Sequence, residues 1–378
     1  MREPLSAETS DRRDADARDL DTRIRRFIAR TDAPEIGFDR LALDLFAYQF
    51  EHNEPYRRYC RRMERTPNDV RHWREIPAIP AAAFSELRLA CFPSQRAALA
   101  FESSGTTTGG ARPTRHELED AGLYDASLLT HFRKCVIPDS TSMTICALAP
   151  SFSQAPHSSL SYMLSKIDDV FGESGGGFFI RDDALDFAAA CATLRRCSGP
   201  AAIIGTAFAF IHFIDRADAE GVRFELPLGS RMVETGGFKG RSREVPRDEL
   251  YAALSRVFGV PRVFCVSEYG MCELGSQWYD ANLADYFAGR APRPDTKIGP
   301  RWARTLVVDP VTAAPVAAGA SGLLAHYDLS NRGSVMAVLT GDLGRESDGG
   351  FELLGRHRGA APKGCSIAID AMLDAERG

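Results

Sequence analysis

Residues 101–116 read FESSGTTTGGARPTRH. An apolar run, ALAF (98–101), leads into this stretch, and a helical pattern over 117–135 leads out of it. Between them SSGTTTGG (103–110) sets two serines, three threonines and three glycines in a row. Glycine lets a backbone approach an anion closely and take positive φ. Successive N–H groups then form an anion-binding nest, and the hydroxyls add donors. No lysine follows the glycines, so this is not the GxxxxGK[ST] loop of P-loop NTPases. Composition alone equally describes a flexible polar surface loop. The placement between a strand pattern and a helix pattern argues for a phosphate cradle instead.

Outward from this loop the texture is α/β. SMTICALA (142–149), PAAIIG (200–205), RMVETGG (231–237) and RVFCVS (262–267) are short apolar runs of the kind that form strands buried on both faces. Helical patterns around 184–197, 207–220 and 246–258 separate them, which predicts a mostly parallel sheet with helices on its faces. After about 300, RTLVVD, GLLAHYDL, VMAVLTGD and FELLGR predict a smaller β-rich or barrel-like section over 301–378. Upstream of the 97–300 core, Ile24, Phe27, Ile28, Leu41, Leu43, Leu45, Phe46 and Phe50 recur at helical spacing. They predict a helical cap over 19–96, in which YRRYCRRMER (56–65) is a solvated basic face and REIPAIPAAAF (74–84) a proline-rich connector. Residues 1–18 are polar and read as a disordered tail.

The chain has 378 residues, 44% of them hydrophobic and 26% charged, with a formal net charge of −5. That balance gives no reason to expect nucleic acid or an anionic membrane as the main partner. No apolar run approaches the roughly 18 residues that span a bilayer, and the charged N-terminus does not look like a secretory signal. A cytoplasmic protein is the expectation. The nine cysteines show no zinc spacing, so most are expected to be reduced, buried small hydrophobes. Cys365 is set apart below.

Three further segments follow in order. VFCVSEYGMCELGS (263–276) is a strand ending in an aromatic-Gly-x-x-Glu turn, LTGDLGR (339–345) sets Asp342 in a Gly-Asp turn, and LLGRHR (353–358) carries Arg356. Taken singly, each also reads as an ordinary buried strand, an Asp-capped turn or a surface arginine. Together with the loop they resemble the adenylate-forming superfamily of acyl-CoA synthetases, peptide-synthetase adenylation domains and luciferases. The resemblance spans about residues 80–370 and implies an α/β fold of the adenylate-forming large-domain type, mixed and parallel sheets flanked by helices, with the usual C-terminal mobile domain absent or truncated. It further implies that Ser103, Ser104, Gly105, Thr106, Thr107, Thr108 and Gly109 hold the β- and γ-phosphates of ATP. Tyr269, beside Gly270, would stack on adenine, Glu273 would hold Mg²⁺, and Asp342 and Arg356 would hold the ribose. Cys272 stands where the superfamily usually has threonine.

Other stretches are closer to one branch, the acyl-protein synthetases of the bacterial bioluminescence fatty-acid reductase complex (LuxE-like). They are Thr114-Arg115-His116, PHSSLSYML (156–164), ETGGFKGRSREVPRDELYAAL (234–254) and PKGCSI (362–367). This resemblance implies that Cys365 accepts the acyl group from an acyl-adenylate and that Gly236 and Gly237 lie near the pocket. His157 could orient the carboxylate or simply precede a helix. Lys363, Arg358 and Arg356 surround Cys365 with positive charge, which lowers a thiol pKa. Alternatively Cys365 packs in a terminal strand with Ile367 and Ile369. Either Lys239 or Lys363 replaces the lysine of the usual mobile domain, or positioning and Mg²⁺ suffice without one. The expected cofactors are ATP and Mg²⁺. The expected partners are a fatty or aryl carboxylic acid and a reductase, acyltransferase or carrier protein. An acyl- or aryl-CoA ligase using CoA, a carrier-loading ligase and a non-catalytic nucleotide-binding scaffold remain as alternatives. Phe152, Phe208, Phe210 and Phe213 line either an apolar pocket or the core.

Overall fold

The computed structural model describes residues 7–30, 36–103, 112–236 and 245–357. The chain opens with three helices, α1 (Ala7–Ala29), α2 (Ile36–His52) and α3 (Glu54–Arg62). The first corrects the expected tail over 1–18, because the helix already runs from Ala7. Its apolar face is Ala17, Leu20, Ile24, Phe27 and Ile28, but buried Arg13 extends that face upstream. Arg13 pairs with Asp14 at 2.5 Å and with Glu119 at 3.7 Å, and Asp21 receives buried Arg332 at 2.8 Å. A charged sequence thus becomes an ordered helix because its buried charges are paired. In α3, Asn53 caps the first turn by accepting from Tyr56 N at 3.2 Å. The arginines there are only partly a free solvated face, since Arg57 and Arg58 pair with Glu54, while Tyr56, Tyr59 and Cys60 point inward.

The strands used below are β1 (Leu99–Glu102), β2 (Arg115–Leu118), β3 (Thr144–Leu148), β4 (Ala201–Thr206), β5 (Arg231–Thr235) and β6 (Cys265–Tyr269). They continue as β7 (Trp278–Asp280), β8 (Thr296–Ile298), β9 (Ala303–Val308), β10 (Ser321–Asp328), β11 (Ala337–Ser347) and β12 (Gly350–Arg356). One sheet takes the order β9-β10-β11-β12-β8-β7-β6-β5-β4-β3, continued by Gly177–Phe178. The two-residue strand Ile79–Pro80 of the proline-rich connector pairs in parallel with β11. From β3 to β6 successive strands of that order are parallel, and from β6 to β9 successive strands are antiparallel. The β-rich part after 300 is therefore no separate barrel; it extends the same sheet.

Alternation along the parallel strands divides the core. On β4, Ala201 and Ile203 face α6 (Phe187–Arg196), α7 (Ala207–Ala219) and α8 (Arg247–Phe258), whereas Ala202 and Ile204 face α4 (Gly122–Cys135) and α5 (Ser159–Phe171). Cys265 and Val266 on β6 divide the same way. A third cluster seats α1–α3 on the antiparallel strands. Phe210 and Phe213 are core, while Phe152 and Phe208 are half-buried, against Tyr162 and His212.

The glycine-rich stretch sits differently from its expected strand-to-helix placement. It joins the antiparallel strands β1 and β2, and α4 begins only at Gly122. In RHEL (115–118), His116 and Leu118 are buried and Arg115 is exposed, a period of two that makes a strand of a segment expected to start a helix.

Candidate active site

β6 is where the sheet changes from parallel to antiparallel, and its carboxyl end carries Glu268, Tyr269 and Gly270. The carboxyl ends of the strands are where open α/β sheets bind ligands. Here the structure brings together three residues singled out from sequence. The Tyr269 hydroxyl donates to Asp342 Oδ2 at 2.9 Å, and Arg356 Nε donates to Asp342 Oδ1 at 3.1 Å. Asp342 and Arg356 are direct cross-strand partners on β11 and β12. That register depends on an irregularity beyond Gly344, where Gly344 faces Leu353 but Leu343 faces Gly355, so one extra residue on β12 brings Arg356 opposite Asp342. Asp342 is buried and Arg356 exposed, so the guanidinium keeps donors for a ligand. Tyr269 is itself buried, edge-on to Trp278 and Phe351, so it is a structural tie of the site.

The second end of the site is the base of the glycine-rich loop. Ser103 N donates to Thr114 O at 3.1 Å, and Thr114 N donates to Ser103 Oγ at 3.0 Å. Ser104, Gly105, Thr106, Thr107, Thr108 and Gly109 lie outside the described residues. Beyond the loop, Thr114 Oγ1 is 3.1 Å from Cys272 Sγ, and His116 Nδ1 is 2.7 Å from the Cys272 carbonyl. A carbonyl only accepts, so His116 carries its proton on Nδ1. Burial holds His116 down to about 4, leaving it neutral. Burial and neighbouring Glu273 push the Cys272 thiol up, so it stays protonated. The thiol that replaces the usual threonine therefore ties the turn after β6 to the loop base. Glu273 follows it, buried, with its carbonyl held by Asn331 Nδ2 at 2.8 Å. Buried Asp328 fixes the next residues by accepting from Gly275 N at 3.0 Å and Ser276 Oγ at 2.8 Å.

His157 is exposed and stands just before the cap of α5, Ser158. Its Nδ1 is 3.2 Å from the Ala100 carbonyl, and its own carbonyl accepts from Glu102 N at 2.9 Å. It braces β1, the strand that enters the loop. Gly236 follows β5 with φ 68, while Gly237 and Lys239 lie outside the described residues, as do Arg358, Lys363 and Cys365.

Two polar groups here escaped the sequence reading. His326 on β10 is fully buried, 3.3 Å from the Tyr269 hydroxyl. Glu268 lies on the α4 and α5 side, two residues beyond Val266, and accepts from the Thr235 hydroxyl. Burial pushes it up to about 7, against the pull of Thr235 and Lys297 and with a push from Glu234. The one signal in sequence was a carboxylate interrupting the strand CVSEY. Folded, Glu268 keeps its proton to about pH 7, whereas the ordinary value is 4.5. The unfolded chain binds fewer protons between those values, so stability falls as pH rises through that window. At about 1.4 kcal/mol per unit, wild type should lose about 3 kcal/mol between pH 4.5 and 8 that Glu268→Gln retains. Urea titrations of both proteins across that range check it; parallel curves would refute it.

Gly270 is held to glycine by this carboxyl, because a Cβ would come 2.5 Å from Glu268 Oε1. Gly270→Ala should destabilise by about 1–3 kcal/mol. In a Glu268→Ser background that cost should fall by more than half, as denaturant titration of the four proteins would show.

With this geometry in hand, likeness to known proteins is informative. The profile of the family described as acyl-protein synthetase, LuxE, matches residues 18–374. The chain belongs to the LuxE acyl-protein synthetase family. A curated relative from Vibrio harveyi, named long-chain-fatty-acid–luciferin-component ligase, is 22% identical over 352 residues, covering 89% of this chain and 88% of its own. One of the same name from Aliivibrio fischeri is 23% identical over 349 residues, covering 88% and 87%. Among solved structures, 2-hydroxyisobutyryl-CoA ligase in an open conformation, with 2-HIB-AMP and CoA, aligns with TM-score 0.63 at 16% identity, covering 88% of this chain and 78% of that one. Identity that low speaks for the fold alone, which is that of adenylate-forming enzymes. As a LuxE-family chain the protein is an enzyme, an acyl-activating ligase. Among the described residues no helix is long and apolar enough to cross a membrane.

Proposed function

We propose that the enzyme is an ATP-dependent acyl-protein synthetase that forms an acyl-adenylate and then a thioester on its own Cys365. The observation that carries the reading is the convergence of Tyr269, Asp342 and Arg356 at the end of β6, one turn from the Cys272–Thr114 link to the loop base. In the first step a substrate carboxylate oxygen attacks the α-phosphorus of ATP, the bond to the bridging oxygen breaks, and pyrophosphate leaves. In the second, the Cys365 thiolate attacks the acyl carbon, the carbon–oxygen bond to AMP breaks, and the thiol proton goes to solvent.

Ser103 and the loop it opens hold the phosphates. Asp342 accepts from the ribose hydroxyls, Arg356 supplies donors beside it, and Tyr269 offers its remaining edge to adenine. The buried Glu273 carboxylate suits Mg²⁺, a hard cation that shares its shell with substrate phosphates and there neutralises their charge. Adenylyl transfer rests on positioning and charge stabilisation, which these residues supply. His157 acts by bracing the loop's entry strand, and Lys239 is the candidate contact to the reacting carboxylate. A fatty or aryl acid is the substrate class, and a reductase, acyltransferase or carrier protein would take the acyl group onward.

The test is ATP–pyrophosphate exchange by the full chain across a panel of fatty and aryl acids. Exchange that requires a particular acid supports the reading and names that acid. No exchange with any of them would leave a nucleotide-binding scaffold.

A further inference from the structure

Asp342 sits at the end of a line of hydrogen bonds that runs back into the sheet. Thr305 Oγ1 is 3.0 Å from His326 Nδ1, His326 Nε2 is 3.3 Å from the Tyr269 hydroxyl, and that hydroxyl is 2.9 Å from Asp342 Oδ2. Thr305 and His326 are direct cross-strand partners on β9 and β10. The imidazole is fully buried, tilted against Trp278 at 4.3 Å and Phe351 at 5.7 Å.

The protons along this line can be assigned by elimination. A carboxylate has none to give, so the single phenol hydrogen of Tyr269 points at Asp342. The phenol oxygen then accepts from His326, which must carry its hydrogen on Nε2. In a neutral imidazole the other nitrogen is bare, so Nδ1 accepts from the Thr305 hydroxyl. Burial holds His326 down to about 3, so it stays neutral at any working pH. Every donor thus faces the same way, from Thr305 toward Asp342. The orientation is not trivial, because the Tyr269 hydroxyl has two other acceptors in reach, Met271 Sδ at 3.8 Å and the Thr340 hydroxyl, whose own hydrogen goes to the Leu324 carbonyl.

We propose that His326 is a positioning residue for the nucleotide: held by Thr305 as its Nε2–H form, it donates to Tyr269, turns the phenol hydrogen onto Asp342 Oδ2, and so fixes the carboxylate whose remaining lone pairs take the ribose hydroxyls. The inference rests on the reading that Asp342 binds ribose. Its consequence is discrimination by sugar. A carboxylate fixed at one oxygen by Tyr269 and at the other by Arg356 presents its free lone pairs in one geometry. A carboxylate free to turn reads the ribose hydroxyls less strictly.

Two measurements on the full-length chain test this. With ¹⁵N-labelled histidine, the His326 resonances, assigned by their loss in His326→Gln, should show a protonated Nε2 and a bare Nδ1 from pH 5 to 8. Calorimetry with MgATP and Mg-2′-deoxyATP should show a preference for the ribonucleotide. In His326→Leu, MgATP binding should weaken about tenfold, as the loss of one hydrogen bond in a charged network implies, and the preference should shrink. A merely structural role would weaken both nucleotides alike. His326→Gln, whose amide can still donate to Tyr269, should stay within about threefold of wild type. Thr305→Val changes a half-buried position and keeps its shape, so it serves if the leucine variant does not fold. It frees the imidazole to take either form, and a mixture of the two with a reduced preference is expected. A bare Nε2 in wild type, or an unchanged preference in folded Leu or Val variants, overturns the role of His326 while leaving the nucleotide site standing. Wild type that binds neither nucleotide overturns the site and this role with it.

Discussion

Asp342→Asn is expected to lower kcat/KM for MgATP by a factor of about 10²–10³, the largest effect of any single change at the nucleoside end. Asp342 is buried and accepts from Tyr269 and Arg356 on separate oxygens. An amide keeps the volume but has one acceptor in place of two, and its NH₂ must face one of those donors or a ribose hydroxyl. Two charge-assisted hydrogen bonds weakened together amount to about 3–4 kcal/mol. The same change removes the anion that balances Arg356, although that ion pair is largely exposed on the arginine side and contributes little to folding. The loss should therefore sit in KM for ATP, with the melting temperature moved by a few degrees at most and KM for the acid unchanged. Tyr269→Phe should give a smaller loss, and the double variant should fall short of the sum, because both changes disturb one network. An Asp342→Asn enzyme whose KM for ATP stays within threefold of wild type would remove Asp342 from the ribose site.

How much of this was legible in sequence follows from how far apart the partners lie. The parallel strands were plain because both faces of Ala201–Thr206 or Cys265–Tyr269 are buried, and a continuous apolar run has few other meanings. Tyr269, Asp342 and Arg356 were visible through the motifs around them, and the fourteen-residue gap between the last two is a hairpin whose extra residue sets them face to face. Of the β1–β2 hairpin, β1 was legible in ALAF, but β2 was missed because a four-residue strand carrying Arg115 and Glu117 leaves little apolar signal beside a strong helix. The start of α1 was missed because its buried Arg13 looks like any exposed arginine until Glu119 is known to stand beside it. His326 was hidden for the same reason. In GLLAHYDL a lone histidine reads as core, and what makes it more is a tyrosine 57 residues earlier.

The arrangement also explains the cysteine in the turn after β6. A threonine there would offer a hydroxyl to the loop; Cys272 instead takes Thr114 as its partner across the base of that loop. A thiol bonds more weakly than a hydroxyl. The backbone compensates, since the His116 imidazole grips the Cys272 carbonyl at 2.7 Å while its ring stands edge-on to Phe84. The loop base is thus held by one weak bond from Thr114, just before β2, and one strong bond from His116 on it, and the proposed nucleoside end by the Tyr269–Asp342–Arg356 network.

Cys365→Ala should abolish covalent acylation of the protein while leaving acid-dependent ATP–pyrophosphate exchange within about threefold of wild type, because adenylation precedes and does not use the thiol. The last described position before Cys365 is His357, whose N–H donates to the Gly341 carbonyl at 2.9 Å beside Asp342. Eight further residues reach at most about 28 Å, enough to bring a thiol from the ribose end to the acyl-phosphate. The described cysteines offer poor competition. Burial pushes Cys60, Cys91, Cys135, Cys265 and Cys272 up, so they are thiols at neutral pH. The exception is Cys197, half-buried and held at about 7 by a hydrogen bond from Cys146. It lies at the end of α6, against the core shared by α6–α8 and away from the Asp342 network, so it makes the stringent control. Intact mass after incubation with MgATP and the active acid should rise by one acyl group in wild type and in Cys197→Ala, fall back with neutral hydroxylamine, and stay flat in Cys365→Ala. Label that survives in Cys365→Ala would place the nucleophile elsewhere. Wild type that stays unlabelled, yet releases AMP once CoA or a carrier protein is added, would make the acceptor external and the enzyme a ligase for that thiol.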